Sequence, residues 1–269
     1  MPPSSLLPAA FDSGSVWLIG AGPGDPGLLT LHAAHGLSEA DVILHDALVS
    51  EEILSLASPR ARLESVGKRA GGRRTPQLRI NQRLIQLARQ GHRVARLKGG
   101  DPLIFGRGGE EALALAAAGI PFRVVPGISA GVGGLAAASI PLTHRGLSRS
   151  VTFVTGHDAA AVDRVATNDV LVIYMGGGQL ADIAARLIAA GRDRRDAVAV
   201  IRNATSAEQT VRVTTLGAPD LEHAEFPAAS PAPTLLVVGP VVTIREQLRA
   251  WQQTAPMTVI AGQQAHAVG

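Results

Sequence analysis

Short, unbroken apolar runs alternate along this chain with longer stretches whose apolar positions recur at helical spacing. The first run, Val16-Trp17-Leu18-Ile19, leads into a glycine-rich loop and then a helical pattern over residues 28–39. Asp41-Val42-Ile43-Leu44-His45-Asp46 reads as a second strand and Arg62-Leu63-Glu64-Ser65-Val66 as a short third. His92-Arg93-Val94-Ala95-Arg96-Leu97 and Pro121-Phe122-Arg123-Val124-Val125 complete the first half. Helical patterns over 76–90 and 110–118 stand between these strands, with Gly91 and Gly119 just past their ends, where a left-handed residue closes a helix. Strands covered on both faces by crossover helices read as continuous apolar runs. The spacing therefore predicts βαβ units and a largely parallel sheet.

A second series starts at Ser150-Val151-Thr152-Phe153-Val154-Thr155 and continues through strands at 170–174, 197–201, 210–214 and 234–238. Only one helix, over 179–190, is clear among them, and the close spacing of the late strands predicts a mixed sheet. Ile140-Pro141-Leu142-Thr143-His144-Arg145-Gly146 interrupts both patterns. The expected organisation is thus α/β, with one domain over 15–145 and another over 146–251. A leader over 1–14 and a tail over 252–269, polar and without periodicity, are expected to be disordered.

The composition is 46% hydrophobic but only 3% aromatic, so the cores must be packed from Val, Leu, Ile and Ala. The absence of cysteine removes disulfides, thiolate metal sites and thiol nucleophiles together. The N-terminus lacks the basic start of a signal peptide, and no apolar run is long enough to span a bilayer, so a cytoplasmic protein without a membrane partner is expected. A net charge of +3 gives no ground for a nucleic-acid partner. Of the 25 basic residues 23 are arginine, and the two lysines, Lys68 and Lys98, both stand beside glycine in loop-like motifs. A compact ammonium kept against that bias argues for a task the guanidinium fork cannot perform.

Three loops carry candidate chemistry. In Gly20-Ala21-Gly22-Pro23-Gly24-Asp25-Pro26-Gly27, glycines 22, 24 and 27 satisfy the dinucleotide fingerprint, with Asp46 about 20 residues on as a ribose acceptor. Pro23 and Pro26, however, remove two N–H groups that a pyrophosphate would need, which suits a ligand without one. The second loop runs from Lys98-Gly99-Gly100-Asp101 through Ile104 to Arg107-Gly108-Gly109, and its glycines let a backbone approach a ligand closely. Asp101 is placed to accept from ribose hydroxyls or an amine. The third, Pro126-Gly127-Ile128-Ser129-Ala130-Gly131, feeds a helix of small residues with Ser129 as its N-cap.

Across residues 16–156 the chain resembles the uroporphyrinogen-III C-methyltransferases, within the wider tetrapyrrole methylase family. The resemblance rests on Val66-Gly67-Lys68-Arg69-Ala70-Gly71, on Arg96-Leu97-Lys98-Gly99-Gly100-Asp101-Pro102 and on Ile140-Pro141-Leu142-Thr143-His144-Arg145, and continues more weakly through Tyr174-Met175-Gly176 and Asn203-Ala204-Thr205. It implies two α/β domains with the active site in the cleft between them, usually in a homodimer. It implies S-adenosyl-L-methionine as cofactor, S-adenosyl-L-homocysteine as its product, and contacts from Pro23, Gly99, Gly100, Asp101, Ile104, Ser129, Ala130, Met175 and Ala204. Asp46 matches the family's proton acceptor and Lys68 its proton donor. Ala204 stands where relatives commonly carry glycine, and a backbone needing positive φ there would be disfavoured.

The implied reaction, two methyl transfers to uroporphyrinogen III giving precorrin-2 for sirohaem or cobalamin, needs neither a metal nor a covalent nucleophile. A polyacidic substrate calls for arginines, and Arg69, Arg73, Arg107, Arg145 and Arg149 fall in the motif loops. The alternatives are a methyltransferase of a later corrin step, a nicotinamide-dependent oxidoreductase using Asp46 on ribose, and a binding protein that would need neither Asp46 nor Lys68.

Overall fold

The structure, a computed structural model, describes residues 10–67, 75–218, 221 and 232–254. Lys68, Arg69 and Arg73 lie outside the described residues. The first five strands are β1 (Val16–Gly20), β2 (Val42–His45), β3 (Arg62–Ser65), β4 (Val94–Lys98) and β5 (Phe122–Val125). They form one sheet in the order β3-β2-β4-β1-β5 with every pair parallel. Helices α1 (Leu31–Glu39) and α2 (Glu51–Leu54) cover one face, where Trp17, Ile19, Ile43, Ala95 and Leu97 are buried. Helices α3 (Gln77–Arg89) and α4 (Gly108–Ala117) cover the other, over Val16, Leu18, Val42, Leu44 and Val94. Alternate residues of each strand thus supply both cores, as the period of two requires.

The second sheet comprises β6 (Val151–Thr155), β7 (Val170–Tyr174), β8 (Ala197–Arg202), β9 (Thr210–Thr215) and β10 (Thr234–Val238). Its order is β6-β7-β10-β8-β9, with only β6 and β7 parallel, so the expected mixed sheet is present. Helices α6 (Ala159–Val165) and α7 (Leu180–Ala189) pack on one face. The opposite face is covered by α5 (Ala130–Ala137), whose Leu135 is buried against Val172, Ile201 and Leu235, and by the start of α8 (Val242–Thr254). Through α5 the polypeptide of the first half therefore contributes to the second core before residue 146. At roughly 1.5–3 kcal/mol for a buried leucine, Leu135 alone is a substantial tie between the two halves.

All ten expected strands are present, but several boundaries differ. Helix α1 begins at Leu31 rather than near 28, because Pro26–Leu28 forms a separate 3-10 turn capped by Asp25, whose Oδ1 accepts from Gly27 N at 2.7 Å. Thr30 then caps α1, accepting from Ala33 N at 3.1 Å. Phe11, inside the expected leader, is buried and stacks on Trp17 at 4.4 Å. Helix α8 continues to Thr254, into the expected tail. Among the described residues no helix is long and apolar enough to cross a membrane.

Candidate active site

Three glycine loops meet at the C-terminal edge of the first sheet, backbone against backbone. Gly22 N donates to Gly100 O at 3.2 Å and Gly100 N returns the bond to Gly22 O at 2.7 Å. A Cβ on Gly127 would lie 2.3 Å from Gly100 O, so no side chain fits where the second and third loops cross. Gly100 itself has φ +68, a conformation that costs other residues roughly 1–2 kcal/mol. The result is a floor of bare peptide.

Over this floor lies a cavity of about 1090 Å³. The first half lines it with Gly22, Pro23, Leu48, Gly99, Gly100, Ile104, Phe105, Ser129 and Ala130, and the second half with His157, Tyr174, Met175, Gln179, Arg202, Ala204 and Thr234. Eight of the nine residues that the resemblance assigns to the cofactor are therefore brought to one cavity. The ninth, Asp101, is not part of the lining. Its Oδ1 accepts from Leu103 N at 2.8 Å and its Oδ2 from Gly127 N at 3.1 Å, so its carboxylate ties the second loop to the third. Ala204 is absent from the residues of positive φ, whereas its neighbours Asn203 (φ +48) and Thr205 (φ +68) take that conformation. The alanine is therefore unstrained, and its methyl packs where a Cβ on Gly134 would be 2.7 Å away. Met175 and Phe105 also have positive φ, at +59 and +52. Such strain persists only where the surroundings over-determine the backbone, and here it gathers around the cavity.

Tyr174, at the end of β7, joins the two halves. Its hydroxyl accepts from Gly131 N at 2.8 Å and shares a hydrogen bond of 2.7 Å with Ser129 Oγ. Ser129 occupies the N-cap position of α5 but makes no cap bond; the phenol from the opposite half satisfies the helix N–H instead. Its ring is boxed by Phe105 at 4.9 Å and Phe153 at 5.8 Å. Burial pushes the Tyr174 phenol above its ordinary pKa of 10.0, so the hydroxyl stays protonated. A further clasp joins Asp25 N to Thr205 Oγ1 at 3.1 Å.

Asp46 follows β2, its N–H bonded to Leu97 O at 3.1 Å. Its carboxylate meets Arg96 Nη2 at 2.5 Å and lies 3.8 Å from Lys98 Nζ. Lys98 is not a loop residue: it ends β4 with its side chain buried. Glu111 of α4 accepts from Arg96 Nε at 3.0 Å and from Lys98 Nζ at 3.2 Å. Burial, then the neighbouring Arg96, pushes the Lys98 ammonium down from 10.5, while Glu111 and Asp46 hold it up. Arg96 and Glu111 escaped the sequence reading, although a signal existed. Charged residues at alternate positions of a central parallel strand face a core and must find partners.

A smaller cavity of about 390 Å³ adjoins the first through Phe105 and Met175 and is lined by Leu103, Arg107 and Thr155. Of the expected anion-binding arginines, Arg107 is at this wall, with Nε 2.9 Å from Glu110 Oε1. Arg145 and Arg149 are exposed beside the His144–Ser148 bridge and line neither cavity. The dinucleotide alternative fits poorly. The first loop turns through a capped 3-10 element before α1, whose N-terminal donor is taken by Thr30, and the Asp46 carboxylate is engaged by Arg96.

The model of the Tetrapyrrole (Corrin/Porphyrin) Methylases matches residues 15–220. A uroporphyrinogen-III C-methyltransferase of Sinorhizobium sp is 52% identical over 248 residues, covering 89% of this chain and 88% of the relative. Siroheme synthase 2 of Aeromonas hydrophila is 50% identical over 249 residues, covering 90% of this chain but 52% of the relative, so the chain spans about half the length of that protein. Among solved structures, the uroporphyrin-III C-methyl transferase of Thermus thermophilus complexed with S-adenyl homocysteine is similar with a TM-score of 0.73 and 38% identity, over 86% of this chain and 99% of that one. Match and fold together place this chain in the tetrapyrrole (corrin/porphyrin) methylase family.

Proposed function

We propose that this chain is a uroporphyrinogen-III C-methyltransferase, using S-adenosyl-L-methionine to methylate ring carbons C2 and C7 of uroporphyrinogen III and yield precorrin-2 for sirohaem or cobalamin. The observation that carries the reading is the cavity between the two halves, whose wall gathers Pro23, Gly99, Gly100, Ile104, Ser129, Ala130, Met175 and Ala204. Bare peptide at Gly99 and Gly100 and small side chains at Ala130 and Ala204 suit a ligand that must lie close to the backbone. The Sinorhizobium relative and the Thermus structure with S-adenyl homocysteine support the same activity.

Bound there, the cofactor supplies an already activated sulfonium methyl. The protein's work is alignment, exclusion of water and movement of a proton. Leu48, Phe105 and Met175 offer apolar cover over the peptide floor. As a pyrrole carbon gains the methyl, the ring must lose a proton, and Asp46, its carboxylate steadied by Arg96, is the base we assign. Asp101 would act by fixing the loop that carries Gly99 and Gly100. Lys68 remains the candidate proton donor, and Arg69 and Arg73, with Arg107, Arg145 and Arg149, the candidates for the substrate carboxylates. The resemblance further implies a homodimer, and the cysteine-free composition suits the cytoplasm.

Incubation with labelled S-adenosyl-L-methionine and uroporphyrinogen III tests the reading. Two methyl groups per macrocycle are expected; no transfer to uroporphyrinogen III, with transfer to a later corrin intermediate instead, would overturn it.

A further inference from the structure

Behind Asp46, strand β4 and helix α4 bury three charged side chains that line neither cavity. Arg96 and Lys98 are 2% exposed and Glu111 0%, whereas Asp46, at 32%, is the member of the group that reaches solvent. The Arg96 guanidinium is held on every side. Nη2 meets Asp46, Nε meets Glu111, and Nη1 donates to the carbonyls of Leu97 and Leu44 at 3.2 and 3.4 Å. Lys98 spans the same two carboxylates from below, and Gln77 Nε2 of α3 donates to Glu111 Oε1 at 3.1 Å. Glu111 Oε2 is buried with no hydrogen-bond partner.

An arrangement of this kind is costly as mere packing. Well-packed apolar residues in place of a buried ion group are often as stable or more so, and an unpartnered buried carboxylate oxygen adds a penalty. What the group achieves is a part-exposed carboxylate, that of Asp46, which itself lines neither cavity, with two fixed cations behind it and a second carboxylate balancing them. We propose that Glu111 is a positioning residue, which through Arg96 and Lys98 fixes the orientation and charge of the Asp46 carboxylate during proton removal from the substrate ring. The proposal rests on the assignment of Asp46 as base. Among the described residues, the titratable groups facing Asp46 are Arg96 and Lys98 from β4 and the adjacent His45, whose Nδ1 lies 3.2 Å from the Asp46 carbonyl. Glu111 stands behind them from α4, and α3 contributes the amides of Gln77 and Asn81.

Opposite charges removed from one network must move its titration in opposite directions, which simple loss of structure does not do. The test is the pH dependence of label transfer from S-adenosyl-L-methionine to uroporphyrinogen III by wild type, Glu111→Gln, Lys98→Met and the double variant. Glu111→Gln leaves two cations facing Asp46, so the acid limb should move to lower pH. Lys98→Met leaves an excess of carboxylate, so the limb should move to higher pH, each by roughly one unit. The double variant removes one charge of each sign and should return the limb near its wild-type position. All three should turn over more slowly, by roughly tenfold, because the carboxylate is less firmly held. Calorimetric affinity for S-adenosyl-L-homocysteine should stay within about twofold of wild type. Acid limbs that superimpose on wild type, or that move the same way in both single variants, would overturn the proposal. Should a single variant not fold, the double variant decides: a lowered maximal rate supports the role, and a wild-type rate overturns it. Asp46→Asn separates the two levels. If it keeps full activity, the base assignment itself fails; if it is slow while the limbs superimpose, only the role of Glu111 fails.

Discussion

Gly131→Ala should loosen the junction of the two halves, and the structure sets the size of the effect. A Cβ at Gly131 would lie 2.2 Å from Tyr174 Oη and 2.8 Å from Cζ. Non-bonded heavy atoms need roughly 3.5 Å, so the phenol must withdraw by about 1 Å. Phe105 and Phe153 box the ring, which prevents a simple swing. Withdrawal breaks the hydrogen bonds to Gly131 N and Ser129 Oγ, worth about 1 kcal/mol each, and overpacking adds about 1–3 kcal/mol. The helix gains back roughly 1 kcal/mol from replacing glycine. A net loss of about 2–4 kcal/mol remains, or a fall in Tm of roughly 5–12 °C for a chain of this size. Because Ser129 and Ala130 line the cavity, affinity for S-adenosyl-L-homocysteine should fall by about tenfold or more. In a Tyr174→Phe background the nearest clashing atom is gone, so Gly131→Ala should cost less there than in wild type. Thermal unfolding and titration calorimetry on the four proteins of this cycle read both effects. A single variant whose Tm and affinity match wild type would refute the reasoning.

Asp46→Asn and Lys68→Met should each slow methyl transfer, by roughly 10²–10⁴-fold for the loss of a proton-transfer group, with affinity for S-adenosyl-L-homocysteine largely kept. Single-turnover kinetics and calorimetry check the pair. Gly109, near the start of α4, has open space where a Cβ would go, so Gly109→Ala should raise stability by about 0.5–1 kcal/mol in denaturant unfolding. Glu64 is held below its ordinary 4.5 chiefly by the hydrogen bonds from Arg83, and Asp41 below 3.8 chiefly by those from Arg93. A carboxylate depressed in the folded state contributes stability that is present above its unfolded value and lost as pH falls through the folded one. Stability should therefore decline from about pH 4.5 downward, and Glu64→Gln should make that decline shallower; an unchanged acid profile would contradict it.

Much of the fold was legible because strands covered on both faces leave continuous apolar runs, and all ten expected strands are present, although the edge strands β3 and β9 are polar and only partly buried. The elements that escaped have weak patterns of their own. Helix α2 is a single turn with Ile53 as its buried residue, and α6 buries Val162 within an alanine-rich stretch. Helix α8 follows the second core rather than preceding a strand, so no βαβ rhythm announced it. At the site, the glycine loops were readable because close backbone approach demands glycine, and the Gly127–Gly100 contact bears that out. The charged group behind Asp46 was only half readable. Arg96 and Lys98 at alternate strand positions are a local signal, but Glu111 is joined to them by packing of α4 on the sheet. Tyr174 capping α5 joins residues 43 apart through two different cores, and no local pattern encodes that.

Isothermal titration with S-adenosyl-L-homocysteine and, separately, NAD tests most directly the claim that the cavity between the halves is a methyl-donor site. The account predicts saturable binding of S-adenosyl-L-homocysteine, weakened by Gly131→Ala, and no measurable uptake of NAD. Tight NAD binding with indifference to S-adenosyl-L-homocysteine would contradict it.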